Sequence, residues 1–510
     1  MQQVIPAITL EVVVLVLGML MIFAEAFAKT ADRSHMARYA VGVLLALIGF
    51  SFFTIAPPAE PPPGSYWNVY SVDVAAMFFK RIALATTAVV LIMAIEYRTV
   101  LQKFIPGAQA GQGTGEFYSL PVFVCAGLMF MASAKDFILI FVSLELVTIG
   151  FYALVAYMRR HTQSLEAGVK YLILGALSTG FLVYGITWIF GLTGETGLAA
   201  VGAKLHAGFE PGGKLIGNEA ALLFGIMLIL VGLGFKIAAA PFQLWVPDVY
   251  QGAPTPITAF LSVGSKSAGF IVLVRVLEVF LGVNDDIQRK VIGVIVILAI
   301  ATLLYGNLAA MPQDNVKRLF SYSSIAHAGY LLIALSAMTA DLASAKEAVA
   351  FYLAGYLVMT LLSFLILIIV ARHSRGDDIR HFNGLGKRSP FLAFAMTLAV
   401  ASLAGIPLTA GFVGKFLVFK AAVSAGQTTL LVVGIIAVAS GFYYYFKLIT
   451  AMYWQEPSEV APISVPALTK LSVGGLAALV ILLGIWPGPI LGQLRDRAPM
   501  PLDHAQVAKR

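Results

Sequence analysis

The chain has 510 residues, of which 59% are hydrophobic and only 12% charged, with a net charge of +8 and a mean hydropathy of +0.89. Ordinary soluble domains are about 45–50% apolar and about 25% charged, so this composition cannot clothe a water-facing surface and belongs in a bilayer. It excludes a soluble enzyme, a nucleic-acid binder and a membrane β-barrel, whose strands alternate polar and apolar residues.

A spanning helix with a short connection takes roughly 35 residues, which leaves room for about 14 crossings. Apolar runs predict spans over 5–27, 38–56, 74–95, 119–134, 136–157, 168–191, 219–243, 255–281, 289–310, 320–339, 347–371, 390–423, 428–453 and 466–491. The expected fold class is an all-α polytopic membrane protein. The first run carries Glu11 and Glu25 and lacks the basic start of a cleaved signal, so it reads as a retained span. The fourth and fifth runs abut at Lys135-Asp136, and the tail beyond Pro487–Pro489 is polar, with disorder expected at its end.

Loop charge gives orientation. Odd-numbered connections carry Lys29, Arg33 and Arg38; Arg98 and Lys103; Arg159 and Arg160; Lys317 and Arg318; and Arg372, Arg375, Arg380, Lys387 and Arg388. Even-numbered connections are poorer, with Lys135, Lys204, Lys214, Arg289, Lys290 and Lys346. By the positive-inside rule the odd loops are cytoplasmic and both termini face outward. Arg495, Arg497, Lys509 and Arg510 run against that assignment.

Two long spans are broken, one around Lys236 and Pro241 (FKIAAAPFQLWVPD), the other around Pro407 and Lys415 (AGIPLTAGFVGKF). A proline inside a span frees a backbone carbonyl that needs another partner. Interrupted spans in corresponding halves point to inverted repeats with a midplane transport site. A weaker correspondence agrees: Phe141, Ser143 and Glu145 followed by Gly150-Phe151 resemble Phe320, Tyr322 and Ser324 followed by Gly329-Tyr330. The two units start five spans apart, and an odd offset inverts the second. The expected organisation is residues 1–117 as three leading helices, 118–283 and 284–455 as the repeats, and 456–510 as the last helix and tail.

The single cysteine, Cys125, lies in an apolar run and reads as a small buried hydrophobe; one thiol holds neither an iron–sulfur cluster nor a disulfide. Six histidines (His35, His161, His206, His373, His381, His504) fall in loops or tails, and His327 alone sits in an apolar segment, which speaks against a histidine-ligated haem. Neither a glycine-rich nucleotide fingerprint nor a P-loop is present. No cofactor or metal is expected in this chain.

Four ionisable residues lie well inside predicted helices: Glu145, Lys236, Lys266 and Lys415. Each ionised group at a helix centre costs about 2.5–3.5 kcal/mol, so the set costs on the order of 10 kcal/mol. Pairing, contact with water or loss of charge reduces that cost, and a lysine that sheds its charge becomes an amine able to accept a proton. One carboxylate cannot balance three amines. At an effective dielectric of about 20, charges 8 Å apart interact by roughly 2 kcal/mol, so protonating one lysine pushes a proton off the next. That is a proton relay; a sodium site would want converging carboxylates and carbonyls.

Structural readings stand beside these. Glu145 and Lys236 could be an ion pair locking two helices, and His327 could be a satisfied polar helix residue or, through its near-neutral titration, a proton carrier. Asp73, Lys80, Glu96, Glu166, Lys170, Asp314, Lys317 and Glu347 lie near span ends, where snorkelling or dipole pairing is the default. Tyr443, Tyr444 and Tyr445 read as packing or interface anchors.

The segments FVSLELVTIGFYALVAY, EAGVKYLILGALSTGFLVYGI, GFKIAAAPFQLWVPDVYQGAPTPITAFLSVGSKSAGF, KRLFSYSSIAHAGY and AGIPLTAGFVGKF closely resemble the antiporter-like subunits of respiratory complex I (NADH-quinone oxidoreductase), most nearly the subunit N family. The likeness runs from about residue 70 to 455; Pro241 to Pro256 carries its most specific motif, and the GKF ending at Phe416 favours subunit N. The resemblance implies fourteen helices with two inverted five-helix repeats, and proton translocation coupled to quinone reduction by NADH in other subunits. It implies Glu145 paired with Lys236, Lys266 as the central relay, Lys415 near the outward exit, and His327 on the histidine-bearing span. It also implies a bacterial cytoplasmic membrane, neighbouring membrane subunits as partners and no nucleic acid; the long lateral helix of the larger sister subunits is not expected. The rivals are a subunit of a multi-subunit sodium/proton antiporter and a purely structural scaffold.

Overall fold

The computed structural model describes residues 8–27, 33–52, 69, 70, 72–105, 114–374, 376–457 and 462–495. Lys29, Arg375, Arg497, His504, Lys509 and Arg510, used above, lie outside them. The order is α1 (Thr9–Phe27), α2 (Ser34–Phe50), α3 (Val74–Phe104), α4 (Glu116–Ser133), α5 (Phe137–Val155), α6 (Thr162–Thr193), α7 (Leu198–Phe209), α8 (Glu219–Ile237), α9 (Val246–Gly252) and α10 (Thr255–Phe260). A π-helical turn (Leu261–Ser265) leads into α11 (Lys266–Leu281), followed by α12 (Asp285–Ala310), α13 (Val316–Ser336) and α14 (Leu342–Ser374). Then come α15 (Leu385–Arg388), α16 (Pro390–Ala404), α17 (Ala410–Ser424), α18 (Thr428–Trp454), α19 (Ala467–Ile485) and α20 (Gly488–Arg495).

Among the described residues every regular element is a helix, as a bilayer requires of a chain with no closed barrel. Asp73, Asp136, Asn284 and Asn315 accept from the first-turn N–H groups of α3, α5, α12 and α13, satisfying donors that a helix start leaves free. Between α4 and α5 the chain pairs Tyr70 with Ala134 and Asp136 with Gly197, so the abutting runs at Lys135-Asp136 are indeed two helices.

All fourteen predicted runs are occupied by helix, yet among the described residues twelve helices are long and apolar enough to cross a membrane. The second run yields α2, only 17 residues long. The twelfth splits into α16 and α17, 15 residues each, because Gly405, Pro407 and Leu408 turn the chain, Gly405 and Leu408 with φ of 96° and 68°. The segment before α8, expected to be loop, contains α7, which starts after Gly194 ends α6 in the left-handed conformation.

Helices α10, α11, α13 and α14 fill the interior, buried along their spanning windows. The outer helices turn large apolar residues outward, among them Phe23, Ile173, Leu177, Ile297 and Leu471. On a soluble protein these would be aggregation surface; here they meet acyl chains.

One end of the bundle is braced by charge. Asp248 of α9 accepts from Lys170 of α6 at 2.6 Å and from Arg318 of α13 at 3.0 Å. Partial burial opposes ionisation of Asp248, but the hydrogen bonds from Lys170 and Arg318 outweigh it and hold the carboxyl below its usual range. Beside it Lys317 lies 3.5 Å from Asp377 and donates to the Ala253 carbonyl.

Candidate functional site: a chain of buried amines along α13

The two breaks fall between α8 and α9 and between α16 and α17. Each contains one of the two non-glycine residues of positive φ among the described residues, Ala238 (φ 64°) and Leu408 (φ 68°). A left-handed alanine or leucine costs roughly 1–2 kcal/mol. Such strain persists where the surrounding structure enforces it, commonly at functional sites.

At the first break α8 ends at Ile237, and Lys236, 5% exposed, points its Nζ at the Thr148 hydroxyl of α5, 2.5 Å away. Thr148 can accept because its own O–H is given to the Leu144 carbonyl. Pro241 therefore lies beyond the helix rather than inside it. Glu145, three residues before Thr148, accepts from Thr179 of α6 at 2.8 Å. The expected Glu145–Lys236 ion pair is not made: each charge takes a threonine hydroxyl, and only a longer-range coulombic coupling joins them.

Lys266 opens α11 straight after the π-helical turn, a distortion frequent at functional sites. Its Nζ donates to both the carbonyl and the hydroxyl oxygen of Ser324 on α13. A Cβ placed at Gly269 of α11 would lie 3.6 Å from the Cβ of Lys236, so the first-break lysine runs alongside this helix.

One turn beyond Ser324, His327 is enclosed by tyrosines. Its Nδ1 is 2.7 Å from the Tyr352 hydroxyl and its Nε2 is 3.3 Å from that of Tyr445, which also bonds Ser323. A further turn along, Tyr330 presents its ring to Lys415, whose Nζ is 4.9 Å from the ring centroid. Lys415 donates to the carbonyls of Leu403 and Ala404 at 2.9 and 2.8 Å. Those acceptors are the carbonyls that the second break releases at the end of α16, where the helix dipole also favours a cation. Neither Lys266 nor Lys415 has a carboxylate within ion-pair distance among the described residues.

The structure thus gathers Lys236, Lys266, His327 and Lys415 along α11 and α13 and leaves Glu145 half-buried to one side, between α5 and α6. A void of about 10 Å³ bordered by Ser323, Tyr356, Thr360 and Ser363 sits against this line, about the space one water needs. Amines, an imidazole and hydroxyls at bonding distance can pass protons; redox groups are not needed for that chemistry.

Several readings change. Of the two readings of the tyrosine cluster, packing holds for Tyr444 and Tyr445, both buried, with Tyr444 bonding Asn307 at 3.2 Å, while Tyr443 is exposed. Lys80 does not snorkel; it is fully buried and 2.8 Å from Glu11. The sequence reading does not single out Thr148, Thr179, Tyr352 or Tyr356. A signal existed for two of them, since Tyr352 and Tyr356 stand one turn apart in the apolar α14, where each hydroxyl requires a partner.

The family described as NADH:quinone oxidoreductase/Mrp antiporter, TM, matches residues 134–441. NADH-quinone oxidoreductase subunit N of Dehalococcoides mccartyi is 34% identical over 485 residues, covering 94% of this chain and 96% of that protein. A chain of respiratory complex I from Thermus thermophilus superposes with a TM-score of 0.76 at 29% identity, over 95% of this chain and 99% of its own. A chain of the Mrp complex from Dietzia sp. superposes equally well (0.76, 95% of each chain) but at 19% identity, which speaks for the fold alone. The chain belongs to the NADH-quinone oxidoreductase subunit N family of antiporter-like membrane proteins.

Proposed function

We propose that this chain is a proton-translocating, non-redox subunit of NADH-quinone oxidoreductase, held among other membrane subunits of the complex, with NADH and quinone bound by other subunits. The observation that carries the reading is α13: one helix presents Ser324 to Lys266, His327 to two tyrosines and Tyr330 to Lys415. Protons taken up from the cytoplasm reach Lys236 or Lys266, pass His327 and leave outward from Lys415. The membrane is the bacterial cytoplasmic membrane, with both termini periplasmic.

Glu145 acts on this line from outside it. Because Glu145 and Lys236 are coupled through space rather than by contact, a charge arriving from a neighbouring subunit alters the Lys236 site without having to break a bridge. The test is Lys266→Ala in the intact complex reconstituted into vesicles. Assembly should survive and coupled pumping collapse; full pumping would refute the relay. A sodium dependence of the residual gradient would instead favour the antiporter reading.

A further inference from the structure

A second set of buried charges lies outside the lysine line, on the leading helices. Glu11 of α1 and Lys80 of α3 are each 0% exposed and 2.8 Å apart. The Tyr70 hydroxyl lies between them, donating to Glu11 Oε1 at 2.7 Å and accepting from Lys80 Nζ at 2.5 Å. Two turns before Lys80, Asp73 caps α3 and binds Arg275 of α11 at 2.9 Å, with its own side chain 39% exposed. Arg81 turns away to Ser51, and from α4 Ser133 lies beside Tyr70 and the buried Cys125 near Glu11. The cluster sits at the end of the bundle where Tyr70 pairs with Ala134.

A pair kept only to pin α1 to α3 could be replaced by apolar side chains of similar volume without loss. It would also be expected to satisfy both carboxylate oxygens. Glu11 Oε2 is buried and has no hydrogen-bond partner among the described residues, the costly condition for a charged oxygen and the place where a proton relieves it.

We propose that Glu11, Tyr70 and Lys80 form a second protonatable centre, whose Glu11 Oε2 takes up a proton from the aqueous face that Asp73 reaches. One O–H bond forms, the proton leaving a hydronium as water; Lys80 stays an ammonium and the triad passes from neutral to a single positive charge. Arg275 stands nine residues from Lys266 on α11, roughly 14 Å along the helix. Through it, the charge of the triad is felt at the lysine line.

The inference rests on the proton-translocating reading only for its pumping arm. The assembled complex is examined by infrared difference spectroscopy across a pH jump, and by proton pumping in vesicles. The expected result is a protonated-carboxyl band that Glu11→Gln removes and Glu11→Asp shifts, and that Lys415→Ala leaves in place. Pumping by the charge-neutral double variant E11Q/K80M, which strands no buried charge, should fall about tenfold, the rate equivalent of one misplaced pK unit. A band that persists in Glu11→Gln, or wild-type pumping and pH profile in the double variant, would overturn the proposal and leave a helix lock. If both variants fail to assemble, Tyr70→Phe removes a single hydroxyl; it should shift the band and slow pumping, and an unmoved band and rate would overturn the proposal. A band lost in Glu11→Gln beside undiminished pumping in Lys415→Ala would sink the lysine relay and leave this centre standing.

Discussion

The two broken helices hold their lysines in different ways. At the first, Lys236 hangs from one threonine hydroxyl with a carboxylate near but out of contact. At the second, Lys415 caps two carbonyls that its own break has released and has no carboxylate beside it. A hydroxyl can turn and an acidic neighbour can change charge; a pair of backbone carbonyls can do neither. The first site is therefore built to be modulated and the second to be constant, although both are lysines beside a broken helix.

Experiments that break this contrast should differ in size. The largest effect belongs to Lys415→Ala: pumping should fall by orders of magnitude, and the stranded carbonyls of Leu403 and Ala404 should cost about 1–3 kcal/mol. Vesicle pumping and the thermal midpoint of the purified complex check the two parts. Next, Thr148→Val keeps the shape but removes the hydroxyl that accepts from Lys236, with a cost of about 1–3 kcal/mol. Thr148→Ser should restore both stability and pumping, and equal behaviour of the valine and serine variants would contradict the geometry.

Smaller effects sharpen the comparison. Ala238→Gly relaxes a left-handed residue and should stabilise by up to about 1 kcal/mol, as should Leu408→Gly less the apolar surface lost. A lowered midpoint in Ala238→Gly would mean that this strain is not stored there. The smallest effect is on Asp248, whose carboxyl is held below the usual range. A depressed carboxylate contributes stability above its unfolded value, near pH 3.9, and that contribution is lost as pH falls through the lower folded value. Asp248→Asn should thus lower the midpoint slightly at neutral pH, by no more than about 1 kcal/mol for a partly exposed pair, with the difference vanishing in acid. A difference that grows in acid would contradict the sign.

Much of this architecture is legible in residue order because lipid imposes it. Uninterrupted apolar runs can only be helices, and Pro241 and Pro407 marked both breaks. The exact ends were not legible: α2 stops at 17 residues, and the α16–α17 pair falls short of a full crossing because Gly405 and Leu408 bend the chain, which hydropathy does not register. Lys236, Lys266, Lys415 and His327 stood out because charge in lipid is expensive. Their partners did not, since threonine and tyrosine are unremarkable in such helices until a neighbour is known. Glu11 and Lys80 were the hardest to see: they lie 69 positions apart, each within two turns of a helix start, where solvent is the ordinary explanation.

Asp248 has a mechanical consequence. It holds Lys170 of α6 and Arg318 of α13, both within 3.0 Å. Rocking one half of the bundle against the other, the usual way for a carrier to expose its cargo alternately, would have to pull these contacts apart at every turnover. With the seam closed in this way, conduction needs only side chains that rotate and solvent threaded between them.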